Sequence, residues 1–172
     1  MFPVDEWSKE RVNSVMMELL YSFNFMWVLM EEWVKKNCPD KTAREEMLEM
    51  YEQFGYNEAK RLEKTLQAKN DGVDRLISFL EHSHWCAFED IEITKISKSS
   101  FRMRTLNCTA QKAAKKWGMD FYECSLGAQK IRSGFFRYIN PLTRVTPVFT
   151  PPQKAGDGTP PGANCEWIVS IE

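Results

Sequence analysis

The chain reads as an α+β fold: an antiparallel sheet of about four strands with helices packed on one face, and a long helix at the N-terminus. Three observations predict it. Apolar residues recur at helical spacing over residues 5–36. The period drops to two over 85–93, 101–105 and 165–171, where β-branched and aromatic residues rise. Helical and strand segments are grouped in blocks, not strictly alternated, which favours a segregated layout in a single domain, 1–172, with a helical part (5–84) and a mixed part (85–172).

The first helix carries Val12, Val15, Met16, Leu19, Leu20, Phe23, Met26, Trp27, Met30, Trp33 and Val34, a stripe wider than one core-facing surface needs. About 30 residues of helix span about 45 Å. The stripe is expected to face the core and, in its excess width, to form a homodimer seam or one wall of a ligand pocket. Asn37-Cys38-Pro39-Asp40 ends the helix. Thr42 followed by Glu45 has capping-box spacing and opens the next one, with Met47, Leu48, Tyr51 and Phe54 on its buried face. Gly55 reads as a stop or kink, and Asn57 as a restart through Ala59, Leu62 and Leu66. After a turn at 69–72, Asp71 caps a helix carrying Val73, Leu76, Ile77 and Leu80 that fades over 81–84.

A β-hairpin follows. Trp85, Ala87, Glu89, Ile91 and Ile93 alternate up to the polar turn 97–100, and Phe101, Met103 and Thr105 alternate after it, with Arg102 and Arg104 on the opposite face. Residues 110–117, rich in Ala and Lys, form a short helix stopped by Gly118. A second helix runs from Glu123 or Cys124 to Tyr138, and Asn140-Pro141 terminates it. Residues 145–149 form a strand in which Pro147 requires an edge or bulge position. Residues 150–164 hold four Pro and three Gly and form a long loop, a feature that is usually functional or disordered in a compact domain. Cys165, Trp167, Val169 and Ile171 alternate in the last strand.

With 43% hydrophobic and 27% charged residues, the composition is that of a globular domain. Six Trp and eleven Phe supply either a well-packed core or an apolar pocket. The net charge of -1 calls for neither nucleic acid nor an anionic membrane surface as partner. Five cysteines, an odd number without regular spacing, argue against a disulfide framework. Charged residues from Asp5 to Arg11 leave no room for a signal peptide at the start. Free thiols in a reducing cytoplasm are expected. The most apolar run, 19–30, contains Ser22 and Asn24 and is about 12 residues long, short of the roughly 20 that a membrane span needs.

The candidate chemistry centres on three thiols. Cys108 lies between a strand and a helix, Cys124 near a helix start, and Cys165 at the head of the last strand. Thiolates meeting at one end of the sheet would hold zinc or another soft metal. Their loose spacing suits simple packing as well, and Cys38 and Cys86 read as packing residues. His82 and His84 are the only histidines, with no acidic partner evident in the sequence. Glu31-Glu32 and Glu45-Glu46 read as solvated helix faces. Arg137, among aromatics in "GFFRYINP", would either clamp a carboxylate or cover the core. Phosphate-loop and nucleophile-elbow motifs are missing.

The segments "FNFMWVLMEEWVKK", "MYEQFGYNEAKRL", "CTAQKAAKKWGMDFYECSLG", "FFRYINP" and "CEWIVSI" together resemble a poorly characterised bacterial and archaeal family grouped with L-2-amino-thiazoline-4-carboxylic acid hydrolase-like proteins. The group is similar in layout to the 4-vinyl reductase small-molecule-binding domain, a fold shared with Golgi tethering subunits and haem-based nitric oxide sensors. The resemblance implies cysteines at 108, 124 and 165. It also implies a Cys-Pro-Pro-Asp run that here reads Thr150-Pro151-Pro152-Gln153, one thiol ligand fewer. An open three-ligand metal site, or none, remains.

Two functions follow as expectations. One is a small-molecule-binding domain with an apolar, aromatic pocket between the long helix and the sheet, lined by Trp27, Phe135, Arg137 and Trp167, with the loop after Thr150 as lid. The other is a hydrolase of a cyclic amidine or amide, with Cys108 or Cys124 as nucleophile or metal ligand. A third alternative is a helper or assembly protein that dimerises through the first helix.

Overall fold

The computed structural model describes residues 7–38, 41–66, 71–116, 118–152 and 161–172, without the side chains of 24 and 41–44. Thr42 lies inside the helix Lys41–Leu66 and is therefore not its cap; the turn over 69–70 and the tip of the Pro-Gly loop lie outside the described residues.

The chain forms α1 (Lys9–Asn37), α2 (Lys41–Leu66), α3 (Gly72–Glu81), α4 (His84–Phe88), β1 (Ile91–Lys95), β2 (Ser100–Thr105), α5 (Thr109–Lys116), α6 (Ser125–Ile139), β3 (Thr143–Phe149) and β4 (Cys165–Ile171). The strands make one antiparallel sheet in the order β1-β2-β4-β3. This is the α+β architecture that the two periodicities predict. Pro147 lies on the edge strand β3, next to a register shift between Pro147 and Phe149, so its missing N–H interrupts no central ladder.

The alternation of β2 and β4 sorts the two faces of the sheet. Phe101, Met103, Trp167 and Val169 point inward and are fully or almost fully buried, together with Leu76, Phe79, Leu80, Phe135 and Phe136 from α3 and α6. On the outer face, register puts Glu92, Arg104 and Glu166 side by side across three strands. Arg104 reaches Glu92 at 2.7 Å and Glu166 at 2.6 Å, and Arg102 reaches Glu166 at 3.2 Å. The outer face is thus closed by a charge ladder, and the helices occupy the other.

Two elements differ from the sequence expectation. The alternation from Trp85 to Glu89 is not strand but the short helix α4. A tertiary contact decides it: the Glu58 carboxylate on α2 accepts the His84 backbone N–H at 2.8 Å, at the opening of that turn. Gly55 does not stop α2, which runs unbroken through it. Gly55 is instead the place where α2 meets α6. A Cβ there would stand 2.0 Å from the Ile131 carbonyl oxygen, and one on Gly134 would stand 2.0 Å from that of Glu52. The paired glycines let the two backbones touch.

α1 packs against α2, α4 and α5 with only part of its wide stripe. Val28 and Glu31 are buried, whereas Met16, Leu19, Phe23, Met26, Met30 and Trp33 are each at least 36% exposed. No helix among the described residues is long and apolar enough to cross a membrane.

Candidate ligand-binding cavity

The helices α1, α2, α4 and α6 surround a cavity of about 810 Å³, floored by the end of β2 and the start of β4. Small-molecule sites measure about 300–1,000 Å³. The α1 wall comes from residues three and four apart, Leu20, Phe23, Trp27 and Glu31. The α2 wall comes from Tyr51, Phe54, Glu58 and Leu62 in the same way. Trp27 meets Tyr51 and Phe54 edge-on, with ring centroids 4.9 and 5.2 Å apart, and Phe54 meets His84 at 5.5 Å. Edge-to-face contacts hold these rings as a rigid aromatic collar.

Polar groups punctuate this apolar wall. Glu31 is buried, which corrects its assignment to a solvated face; its neighbour Glu32 does pair with Lys35 in solvent. The Tyr51 hydroxyl donates to the Glu31 carboxylate, and Tyr122 is a second partner. Burial, then the Glu31 charge, pushes both phenols far above the usual tyrosine range, so they stay neutral donors. Tyr122 is held in place by Gln111, whose side chain donates to its carbonyl at 2.6 Å and accepts its N–H at 3.0 Å. On the opposite wall Glu58 holds the His84 ring through Nδ1 at 2.7 Å.

Arg132, on α6, is 4% exposed and lines the cavity. Its guanidinium lies between two indoles, 5.1 Å from the Trp85 ring centre and 4.8 Å from that of Trp167. One terminal nitrogen donates to the Ala128 carbonyl at 3.2 Å. Its Nε is buried and has no partner among the described residues.

Cys108, Cys124 and Cys165 all reach the cavity, from the start of α5, the N-cap of α6 and the first residue of β4. The three thiols thus line one cavity near the end of the sheet. Among the described residues no three His, Cys, Asp or Glu side chains stand close enough to hold a metal ion. Burial, then the charge of Glu89, raises the Cys108 thiol well above the usual range. Burial, with Cys165 adding and Arg132 opposing, pushes Cys124 up to about 12. The folded chain thus keeps protons that the unfolded chain releases at about pH 8.5. The stability contributed is complete below that pH and is lost as pH rises toward about 12. The urea midpoint is expected to fall steadily above about pH 8.5, and less steeply in Cys124→Ala. A midpoint that stays level to about pH 10 would contradict this.

The other sequence candidates sit elsewhere. Trp27 lines the cavity, but Phe135 and Trp167 are core residues behind it, at 0% and 1% exposure. Arg137 lies one turn beyond Gly134, exposed, and pairs with Glu52 at 3.4 Å; α6 turns Arg132, not Arg137, inward. His82 is exposed and bonds to the Ser78 carbonyl at 2.8 Å. Sequence reasoning missed Arg132, Glu31 and the Glu58–His84 pair. A signal existed for the first: Arg132 is spaced four residues from Ala128 and from Phe136 and three from Phe135, on the apolar stripe of its helix.

Neither a curated protein nor a solved structure matches the chain. A family model of unknown function does, over residues 15–171, a span that takes in every wall of the cavity. The chain belongs to that family of unknown function, DUF6125.

Proposed function

We propose that the protein is a small-molecule-binding domain whose ligand occupies the cavity between α1, α2, α4 and α6. The observation that carries this is the cavity itself: about 810 Å³, rimmed by interlocked aromatic rings, beside a core whose large side chains are buried. The recess leaves aromatic surface facing solvent, and covering that surface with an apolar ligand is favourable. The hydrolase alternative has less behind it. A thiol nucleophile needs a base or a lowered pKa; Cys108 and Cys124 are held protonated, and among the described residues the His84 ring bonds to Glu58 and to neither thiol.

The neutral apolar fluorophore N-phenyl-1-naphthylamine tests the proposal. It should bind saturably at one site per chain, with the blue-shifted, enhanced emission of a dry environment. No saturable enhancement at micromolar protein would remove the proposal.

A second reading rests on the outer edge of α1. Met16, Leu19, Phe23, Met26, Met30 and Trp33 follow one another at alternating steps of three and four, and all are exposed, with Phe23 at the margin where this edge meets the cavity wall. That is the seam spacing of a two-helix coiled coil, and the same seam on a second copy complements it. Sedimentation velocity should find a dimer that becomes monomeric in the double variant Leu19→Lys, Met26→Lys. A monomeric unsubstituted protein at high concentration would discard the dimer.

A further inference from the structure

We infer that Arg132 and Thr105 form an anion subsite on the cavity floor, which receives the carboxylate of a ligand whose remaining body is apolar. The inference rests on the proposed ligand-binding role and narrows it to one chemical class.

The charges around the cavity fix the argument, and the two arginines among its described lining residues differ: Arg61 on α2 is exposed, whereas Arg132 is buried. Three carboxylates line it, and each has partners within the protein. Glu31 has the Tyr51 and Tyr122 hydroxyls. Glu58 has the His84 ring and backbone N–H, at 2.7 and 2.8 Å. Glu89 accepts the Thr109 N–H and hydroxyl, both at 3.1 Å, at the head of α5. None of them pairs with Arg132. An arginine stays charged in any protein environment, and a buried charge without a counterion is expensive.

The two indoles offset part of that cost through their π-faces, and they also lock the plane of the guanidinium. Cys124 does not serve as counterion, because burial keeps its thiol neutral despite the nearby arginine. Arg132 Nε is left buried and unpartnered.

Thr105 supplies the second donor. It ends β2, is 1% exposed, lines the same cavity, and its hydroxyl is also buried without a partner among the described residues. Register sets it directly across from Cys165, next on the inner face of β4 to Trp167, on which Arg132 stacks. Two orphaned polar groups at one cavity, one of them cationic, match an acceptor with two oxygens and one negative charge. The collar of Trp27, Phe54 and Tyr51 then surrounds an apolar tail. A free inorganic anion would leave that collar unfilled.

Displacement of N-phenyl-1-naphthylamine by matched amphiphiles tests this. Dodecanoate should displace the probe at least about tenfold more effectively than dodecan-1-ol, since only the carboxylate makes charge-assisted bonds to arginine. Arg132→Gln should erase the preference, read as the ratio of the acid and alcohol displacement constants so that a change in probe affinity cancels, and Thr105→Val, close in shape, should reduce it severalfold. Equal displacement by acid and alcohol would overturn the subsite, as would a preference that survives Arg132→Gln. A tenfold preference for dodecyl phosphate over dodecanoate would overturn the assignment to a carboxylate. The unsubstituted protein decides the matter even where Arg132→Gln does not fold. Failure of the probe itself to bind removes the cavity proposal instead, so the two failures are distinguishable.

Discussion

Gly134→Ala is expected to lower the stability of the protein by at least about 2 kcal/mol in urea denaturation. The added Cβ would stand 2.0 Å from the Glu52 carbonyl oxygen and 2.9 Å from its carbon. Both are backbone atoms of α2, so no side-chain rotation relieves the clash, and the helices must separate. The loss should appear although alanine favours an isolated helix by about 1 kcal/mol over glycine. Gly55→Ala makes the reciprocal collision with the Ile131 carbonyl, and the same direction is expected. The cavity should suffer too. Both helices line it, and their separation is set by the backbone contacts of Gly55 with Ile131 and of Gly134 with Glu52. An unchanged or raised urea midpoint would mean that this crossing does not depend on backbone contact.

Ala128→Trp is expected to abolish binding of the neutral fluorophore while leaving the fold intact. Ala128 is half-buried on the cavity wall, and the space before it is large enough to take an indole without displacing the core. Filling a cavity with apolar surface also removes a penalty, so the melting temperature should hold or rise. Ala87→Trp, at an exposed position outside the cavity lining, is the control and should bind as the unsubstituted protein does. Equal binding by both variants would place the fluorophore elsewhere.

The long helix, both inner-facing strands and the edge position of β3 were legible because each depends on local pattern. Period, β-branching and a single proline suffice there. Gly55 was not legible as a contact, because its role depends on Gly134, 79 residues away in the chain (134 − 55). The strand pattern at Trp85 was likewise overruled by a carboxylate from α2. The candidate site was half visible. The three thiols and Trp27 line one cavity without forming a metal cluster among the described residues, and nothing local says which of Arg132 and Arg137 faces inward. The rotation of α6 decides that, and the glycine contact with α2 sets the rotation. Glu31 beside Glu32 is the same problem on α1: one residue of rotation separates a buried acid from a solvated one.

The most direct test of the central claim is an NMR titration of the tryptophan indole N–H signals with N-phenyl-1-naphthylamine. Trp27 and Trp85 line the cavity, whereas Trp33 lies exposed on the outer seam of α1 and Trp7 precedes that helix. Binding in the cavity predicts large saturable shifts for Trp27 and Trp85 and none for Trp33 or Trp7. Shifts confined to Trp33, with Trp27 and Trp85 silent, would contradict it and move the binding surface to the outside of the first helix.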